Sequence, residues 1–349
     1  MISDKRLRAL CSKVLRRVGV PSRDAFVVAD NLVDANLRGI DSHGVVRLPK
    51  YVKGLLAGTI NARPHIKITR PGKTVIQVYG DNGLGAVVAR RAVKSLITVC
   101  KLAGAAACGI RGSNHFGTIT YYLIQVTKAR LIGVGITHGE SLQVPFGGNA
   151  PFFGTNPIAF AFPTRKSPPL IADFATSATT FGKILQARAD GSLLPSGTVQ
   201  DAQGEPTTDP ARAARILPAA GHKGYGLALA VEILSGILNG CPYGPHIPPV
   251  FRDDIEKPGN LGHFFFALDP HRFCGRKRFL DQLETMIEEL HQVPPAPGFA
   301  AVLVPGEPES RIYAKRIREG IPLEKGLLDR IEGLDRAEHL RLRGRRYSL

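Results

Sequence analysis

Ser42, His43 and Arg47 lie within nine residues of "GIDSHGVVR", and their types could move a proton and hold an anion. Imidazole has an ordinary pKa of about 6.5, so His43 can exchange protons near neutrality. Ser42 beside it can orient the ring or a reacting oxygen. The planar guanidinium of Arg47 can take a carboxylate through two hydrogen bonds. A helix starting near Gly44 would set His43 and Arg47 one turn apart on one face. Pro49 favours a slightly later start, with His43 in the loop before it. A plainer reading is also open: Asp41 or Ser42 caps a helix whose Val45, Leu48, Val52 and Leu55 face a core.

Three further residues belong to glycine-rich or turn-like stretches. His115, in "RGSNHFG", follows an expected strand, a usual place for site residues in α/β proteins. Lys223, in "GHKGYG", opens an apolar helix whose first amide groups could face an anion. Asp173, in "ADFATS", is either a cap or a cofactor contact. A solvated lysine and a structural loop histidine are the bland alternatives.

Other chemistries lack their parts. "GDNGLG" spaces its glycines as GxxGxG, and no acidic residue ends the following strand, so an ordinary Rossmann fingerprint is missing. There is no GxSxG elbow, Walker loop or HExxH.

The elements that must position these residues follow from periodicity. Ser3 and Asp4 cap a helix to about Val18, and Pro21 with Ser22 opens a second ending near Arg38 and Gly39. From Thr74 the pattern becomes strand "TVIQV", turn, helix "AVVARRAVKSLITVCKL" and strand "GAAACGIR", a parallel crossover unit. A helix from Thr118 to about Arg130 follows, then strands "LIGVGIT", "PIAFAF", "PLIADF", "HFFFAL" and "AAVLV". Together these predict one large, mostly buried sheet.

The 349 residues suffice for two or three packed units, and 44% hydrophobic against 21% charged residues is globular. No run approaches a membrane helix, and "MISDKRLRAL" lacks a signal-peptide core. Five scattered cysteines without a CxxC pair argue against zinc or a disulfide framework and fit a reducing cytoplasm. A net charge of +17 invites a nucleic-acid reading. Yet the excess is dispersed over helix faces and the tail "RLRGRRYSL", without interleaved exposed aromatics. An anionic substrate or cofactor explains it more simply.

Five ordered stretches, "RGIDSHGVVRLPKYV", "RGSNHFGTITYY", "VPFGGNAPFFGTNPIAFAFPT", "DFATSATTFGKILQAR" and "ILPAAGHKGYGLALAVEILSGILNG", resemble the malate/L-lactate dehydrogenase-like oxidoreductases. The resemblance runs on to "PAPGFAAVLVPGEPE", nearly the whole chain. It implies an α/β fold with a large mixed sheet flanked by helices, binding NAD or NADP without the Rossmann fingerprint. It also implies a homodimer with sites close to the subunit boundary. By resemblance His43 is the catalytic histidine with Ser42 as partner, His115 is a second site histidine, Arg47 clamps the substrate carboxylate, and Thr155 touches substrate. Cofactor contacts carry over to Asp173, Phe174, Ala175, Phe181, Gly182, Lys223, Gly224, Pro305, Gly306 and Glu307. No metal site is expected.

There are departures. "THGESLQ" (137–143) differs from the family's usual stretch, and Gly139 stands where ureidoglycolate-type members have serine. Lys183 replaces an aspartate of the imine-reducing members, which favours the hydroxy-acid branch.

The expected protein is therefore a cytoplasmic NAD(P)-dependent oxidoreductase of a small 2-hydroxy acid and its 2-oxo acid. A cyclic-imine carboxylate reductase is the alternative among enzymes, and a basic nucleic-acid-binding protein the alternative of another class. Expected segments are a helical 1–70 carrying "SHG", an α/β cofactor-binding 71–240, and a 241–349 part that completes the sheet and packs on the N-terminal helices.

Overall fold

The structure is a computed structural model that describes residues 1–165, 168–249 and 257–336. The basic tail "RLRGRRYSL" lies outside the described residues. The chain opens with α1 (Asp4–Arg17), capped by the Ser3 hydroxyl accepting the Arg6 N–H at 3.3 Å. Its Leu7, Cys11, Val14 and Leu15 recur at helical spacing and are fully buried. Next, α2 (Ser22–Leu37) is buried on nearly every side, so it forms the centre of a helical layer. Two 3-10 turns, Asp41–His43 and Val45–Arg47, then lead into α3 (Leu48–Ala57).

The sheet begins with β1 (Lys67–Thr69) and β2 (Val75–Tyr79). From there α4 (Gly85–Ala103) crosses to β3 (Ala105–Ser113), which pairs parallel with β2 as the crossover pattern predicts. α5 (Thr120–Lys128), β4 (Ile132–Thr137), β5 (Ile158–Phe162) and β6 (Leu170–Phe174) follow. Then come α6 (Phe181–Asp190) and a small sheet of β7 (Val199–Gln200), β8 (Pro206–Thr207) and β9 (Arg215–Ile216). α7 (His222–Ser235) precedes β10 (Leu261–Leu268), and α8 (Arg276–Gln292), α9 (Glu307–Glu319) and α10 (Leu327–Arg336) end the described chain.

The large sheet has seven strands in the order β1-β2-β3-β10-β4-β5-β6, antiparallel except for β2 with β3. It is the mixed sheet expected. One apolar core joins α4 and α5 to this sheet, and a second joins α1, α2, α3 and α10. β10, from the last third of the chain, is inserted between β3 and β4 at the middle of the sheet.

One predicted strand is a correction. "AAVLV" (300–304) is irregular, and its neighbour Pro305 makes a single backbone bond to the sheet, accepting the Ile171 N–H at 3.1 Å. Pro305 has no N–H to extend a ladder, and Gly306 at φ +93° turns the chain into α9.

Candidate active site

The two 3-10 turns put His43 in a loop and delay the helix to Leu48, with Pro49 in its first turn. No side chain caps either turn or α3, so the capping role of Asp41 or Ser42 is not realised. Val45, Leu48, Val52 and Leu55 are nevertheless buried, so the stretch supplies a core face and a polar face together.

Asn36, at the end of α2 and 2% exposed, holds this loop. Its Nδ2 donates to Asp41 at 2.6 Å and its Oδ1 accepts the Val45 N–H at 2.8 Å. Arg316 of α9 donates to both Asp41 carboxylate oxygens at 2.7 and 3.0 Å. Gly44 is required by this arrangement, since a Cβ there would lie 2.2 Å from Asn36 Oδ1. The amide is fixed at both ends and cannot swing aside. Gly44→Ala is therefore expected to destabilise the fold by about 1–3 kcal/mol, the usual cost of overpacking a tight site. Urea unfolding checks this; an unchanged midpoint would show that Asn36 is free to move.

Around this loop the expected residues converge. Ser42 Oγ lies 3.0 Å from His43 Nδ1, and Arg47 Nε donates to the Ser42 carbonyl at 2.7 Å. The His43 and His115 rings stack at 5.5 Å with planes 29° apart. Tyr51, one turn beyond Arg47 and not singled out from sequence, places its hydroxyl 2.7 Å from His115 Nδ1. Its position four residues after Arg47 on one helix face was the available signal. Arg47, Tyr51, Asn114 and His115 line one cleft, which continues over the apolar side chains of Ile60 and Leu84.

His43 is half-buried, and the protein packed around it makes burial the main cause of a pKa lowered to about 4, with the Arg47 charge second. Burial also holds His115 well below its ordinary value, helped by Arg47 and His43. Burial pulls the Arg47 pKa down as well, against Tyr51 and Glu140. Both rings are thus neutral near pH 7.

"GDNGLG" is occupied by packing. A Cβ on Gly85 would lie 2.1 Å from the Asn114 carbonyl oxygen, and one on Gly80 2.7 Å from the Gly112 oxygen. These glycines let α4 and the turn approach the His115 loop closely.

The residues expected to hold a cofactor lie on adjoining strand ends and loops. The half-buried Asp173 carboxylate accepts from Thr120 N–H at 3.0 Å and Thr120 Oγ1 at 2.8 Å. Burial raises its pKa, against these hydrogen bonds. Asp173, Thr120, Gly306, Glu309 and Ile40 line a second cleft, which Ile40 joins to the "SHG" turn. Phe174 and Phe181 expose 45% and 38% of their surfaces, enough to cover a planar ring. Gly182 would bring a Cβ within 3.5 Å of Ser42 Cβ, so the start of α6 abuts the histidine loop. Thr155 accepts the Thr176 N–H through its carbonyl, and Ala219 N–H donates to Thr176 O. Through this chain Phe174, Ala175 and the α7 start with Lys223 and Gly224 share one neighbourhood. Glu307 is engaged locally, its carboxylate accepting the Val304 N–H at 3.2 Å and pairing with His291 at 2.9 Å. A half-buried carboxylate, exposed aromatic faces and a helix start fit a dinucleotide. Among the described residues no group of three or more His, Cys, Asp or Glu could hold a metal.

Two neutral imidazoles and a guanidinium beside a partly apolar cleft, with a second cleft at Asp173 on a non-Rossmann sheet, suit an α/β oxidoreductase. The comparisons agree with that class. The malate/L-lactate dehydrogenase family model matches residues 2–332, and the chain belongs to this family of oxidoreductases. It is 38% identical to a malate dehydrogenase of Pyrococcus abyssi, over 93% of this chain and 91% of that one. Identity to an L-sulfolactate dehydrogenase of Methanocaldococcus jannaschii is also 38%, over 93% of each. Against a ureidoglycolate dehydrogenase (NAD(+)) of Escherichia coli it is 35%, over 92% of each. The solved sulfolactate dehydrogenase of M. jannaschii superposes with a TM-score of 0.90 at 37% identity, covering 95% of this chain and 96% of that one.

Proposed function

We propose that this chain interconverts a small 2-hydroxy acid and its 2-oxo acid, with NAD or NADP, in the cleft lined by Arg47 and His115 and flanked by His43. The observation that carries the reading is the state of His43. Its Nδ1 is held by Ser42, while Nε2 has no protein partner among the described residues. A neutral ring donating its Nδ1–H to Ser42 leaves the Nε2 lone pair for a substrate hydroxyl.

Arg47 binds the substrate carboxylate, and its Nε bond to the Ser42 carbonyl holds the guanidinium beside the histidine turn. The carboxylate contact sets the hydroxyl beside the imidazoles. His43 then takes the hydroxyl proton at Nε2 in oxidation and returns it to the carbonyl oxygen in reduction. His115, oriented by Tyr51, supplies a second neutral ring against the reacting oxygen. When bound, the nicotinamide supplies the hydride acceptor or donor. Asp173, Phe174, Phe181, Lys223 and the Pro305–Gly306 turn would hold the dinucleotide. Ile60 and Leu84 limit water at the cleft.

A panel of 2-oxo acids, with a cyclic-imine carboxylate included, assayed with NADH and NADPH tests this reading. Turnover of an oxo acid supports it; reduction of the imine alone would replace it with the second enzyme class. The described cysteines are unpaired, which suits the reducing cytoplasm in which we place the enzyme.

The active form is a homodimer in this reading. Leu227, Leu229, Ile233 and Leu234 of α7, with Ile237 and Leu238 beyond it, are each 38–58% exposed in the single chain. An apolar face of this kind is unusual on a soluble monomer. Light scattering is expected to give twice the 37.6 kDa chain mass; a fully active monomer across the assay range would contradict it.

A further inference from the structure

We infer that His263 is a positioning residue: bridging Ser113 and Thr137 and stacked on Phe116, it holds the loop that carries His115. The inference rests on the hydroxy-acid dehydrogenase reading of the cleft. His263 is fully buried near the start of β10, the central strand of the sheet. It is paired with Thr137 of β4, and the register to β3 shifts between Leu261 and His263. The ring therefore sits where β3 gives way to the His115 loop.

Two contacts tie that loop to the ring, and a third ties the ring to β4. His263 Nδ1 is 2.7 Å from Thr137 Oγ1, and Nε2 is 2.9 Å from Ser113 Oγ. Phe116 lies flat on the imidazole, with centroids 4.2 Å apart and planes within 4°. Ser113 and Phe116 flank Asn114 and His115, so one side chain grips the loop on both sides of the site histidine. A neutral imidazole has one N–H and one lone pair, so it satisfies one hydroxyl as donor and the other as acceptor. Burial lowers its pKa to about 3, so the clamp adds no charge beside His115.

No other side chain combines these contacts. Phenylalanine would stack on Phe116 but bond neither hydroxyl; glutamine could reach both hydroxyls but would not stack. The loop has an independent tether in Asn114, whose Nδ2 donates to Asn82 O, Asn82 Oδ1 and Gly83 O at 3.0 Å each. Losing the His263 bonds should loosen His115 without unfolding the protein. Misplacing a catalytic group by about 1 Å costs roughly 10²-fold in rate.

The test compares the full-length wild type with His263→Phe and His263→Gln. Steady-state kinetics, cofactor binding and melting temperature are measured, together with the rate at which diethylpyrocarbonate modifies His115, read by peptide mass spectrometry. The expected result for His263→Phe is a kcat lowered about 10- to 100-fold, with KM and cofactor binding near wild type and an altered His115 modification rate. His263→Gln is expected to recover part of the kcat. If folded His263→Phe keeps wild-type kcat and His115 reactivity, the inference is overturned. It is equally overturned if activity falls only with the folded fraction. Wild type without dehydrogenase turnover would sink the functional reading instead, and the His115 modification rate would still decide the positioning role.

Discussion

His43→Asn is expected to lower kcat by about 10²–10⁴-fold, the usual cost of losing a general acid–base group. Asparagine can still bond near Ser42 but cannot exchange a proton at neutral pH. On this reading the substrate carboxylate stays on Arg47 and the dinucleotide at its own site, so KM and cofactor affinity should change far less than kcat. The pH profile supplies a second signature. In oxidation the neutral ring is the active form, and its pKa in the free protein is lowered to about 4. Wild-type kcat/KM for the hydroxy acid should therefore hold from neutrality towards pH 5 and fall as His43 is protonated near pH 4. That limb should vanish from the residual activity of the variant. Near-normal kcat in His43→Asn would transfer the proton role to His115.

Arg47→Lys is expected to fail differently. Lysine keeps the charge but loses the planar fork and the Nε bond to the Ser42 carbonyl at 2.7 Å. Losing one charge-assisted hydrogen bond costs about 1.5–3 kcal/mol, so KM for the acid should rise roughly 10- to 150-fold. Some loss of kcat should accompany it, because the same guanidinium braces the turn bearing His43. Steady-state kinetics with cofactor binding measured separately checks this. A variant with wild-type KM would place the carboxylate elsewhere.

The candidate site is most legible where its parts are close in the chain. Ser42, His43 and Arg47 span six positions, and side-chain chemistry plus the Pro49 signal suggested a loop histidine ahead of a helix. Tyr51 was within reach of the same reasoning. His263 was not: its partners Thr137 and Ser113 are 126 and 150 residues away, and only strand order brings them together. Periodicity identified "HFFFAL" as a strand but carries no information about neighbours, so its place between β3 and β4 could not be read. The same limit hid β7, β8 and β9, two residues each and too short to show a period. "AAVLV" failed for the converse reason: it has strand composition, but Pro305 and Gly306 deny it a ladder. The glycines of "GDNGLG" lacked the dinucleotide spacing, and their role emerges only against the Gly112 and Asn114 carbonyls they pack on.

The central claim is that one cleft binds the acid through Arg47 and moves its proton through His43. A crystal structure with oxidised cofactor and an unreactive 2-oxo acid analogue such as oxamate tests it most directly. The account predicts the carboxylate on the Arg47 guanidinium, the 2-oxygen within about 2.6–3.2 Å of His43 Nε2, and the dinucleotide along Asp173, Lys223 and Gly306. A carboxylate bound away from Arg47, or a pyrophosphate seated on Gly83 and Gly85, would contradict it.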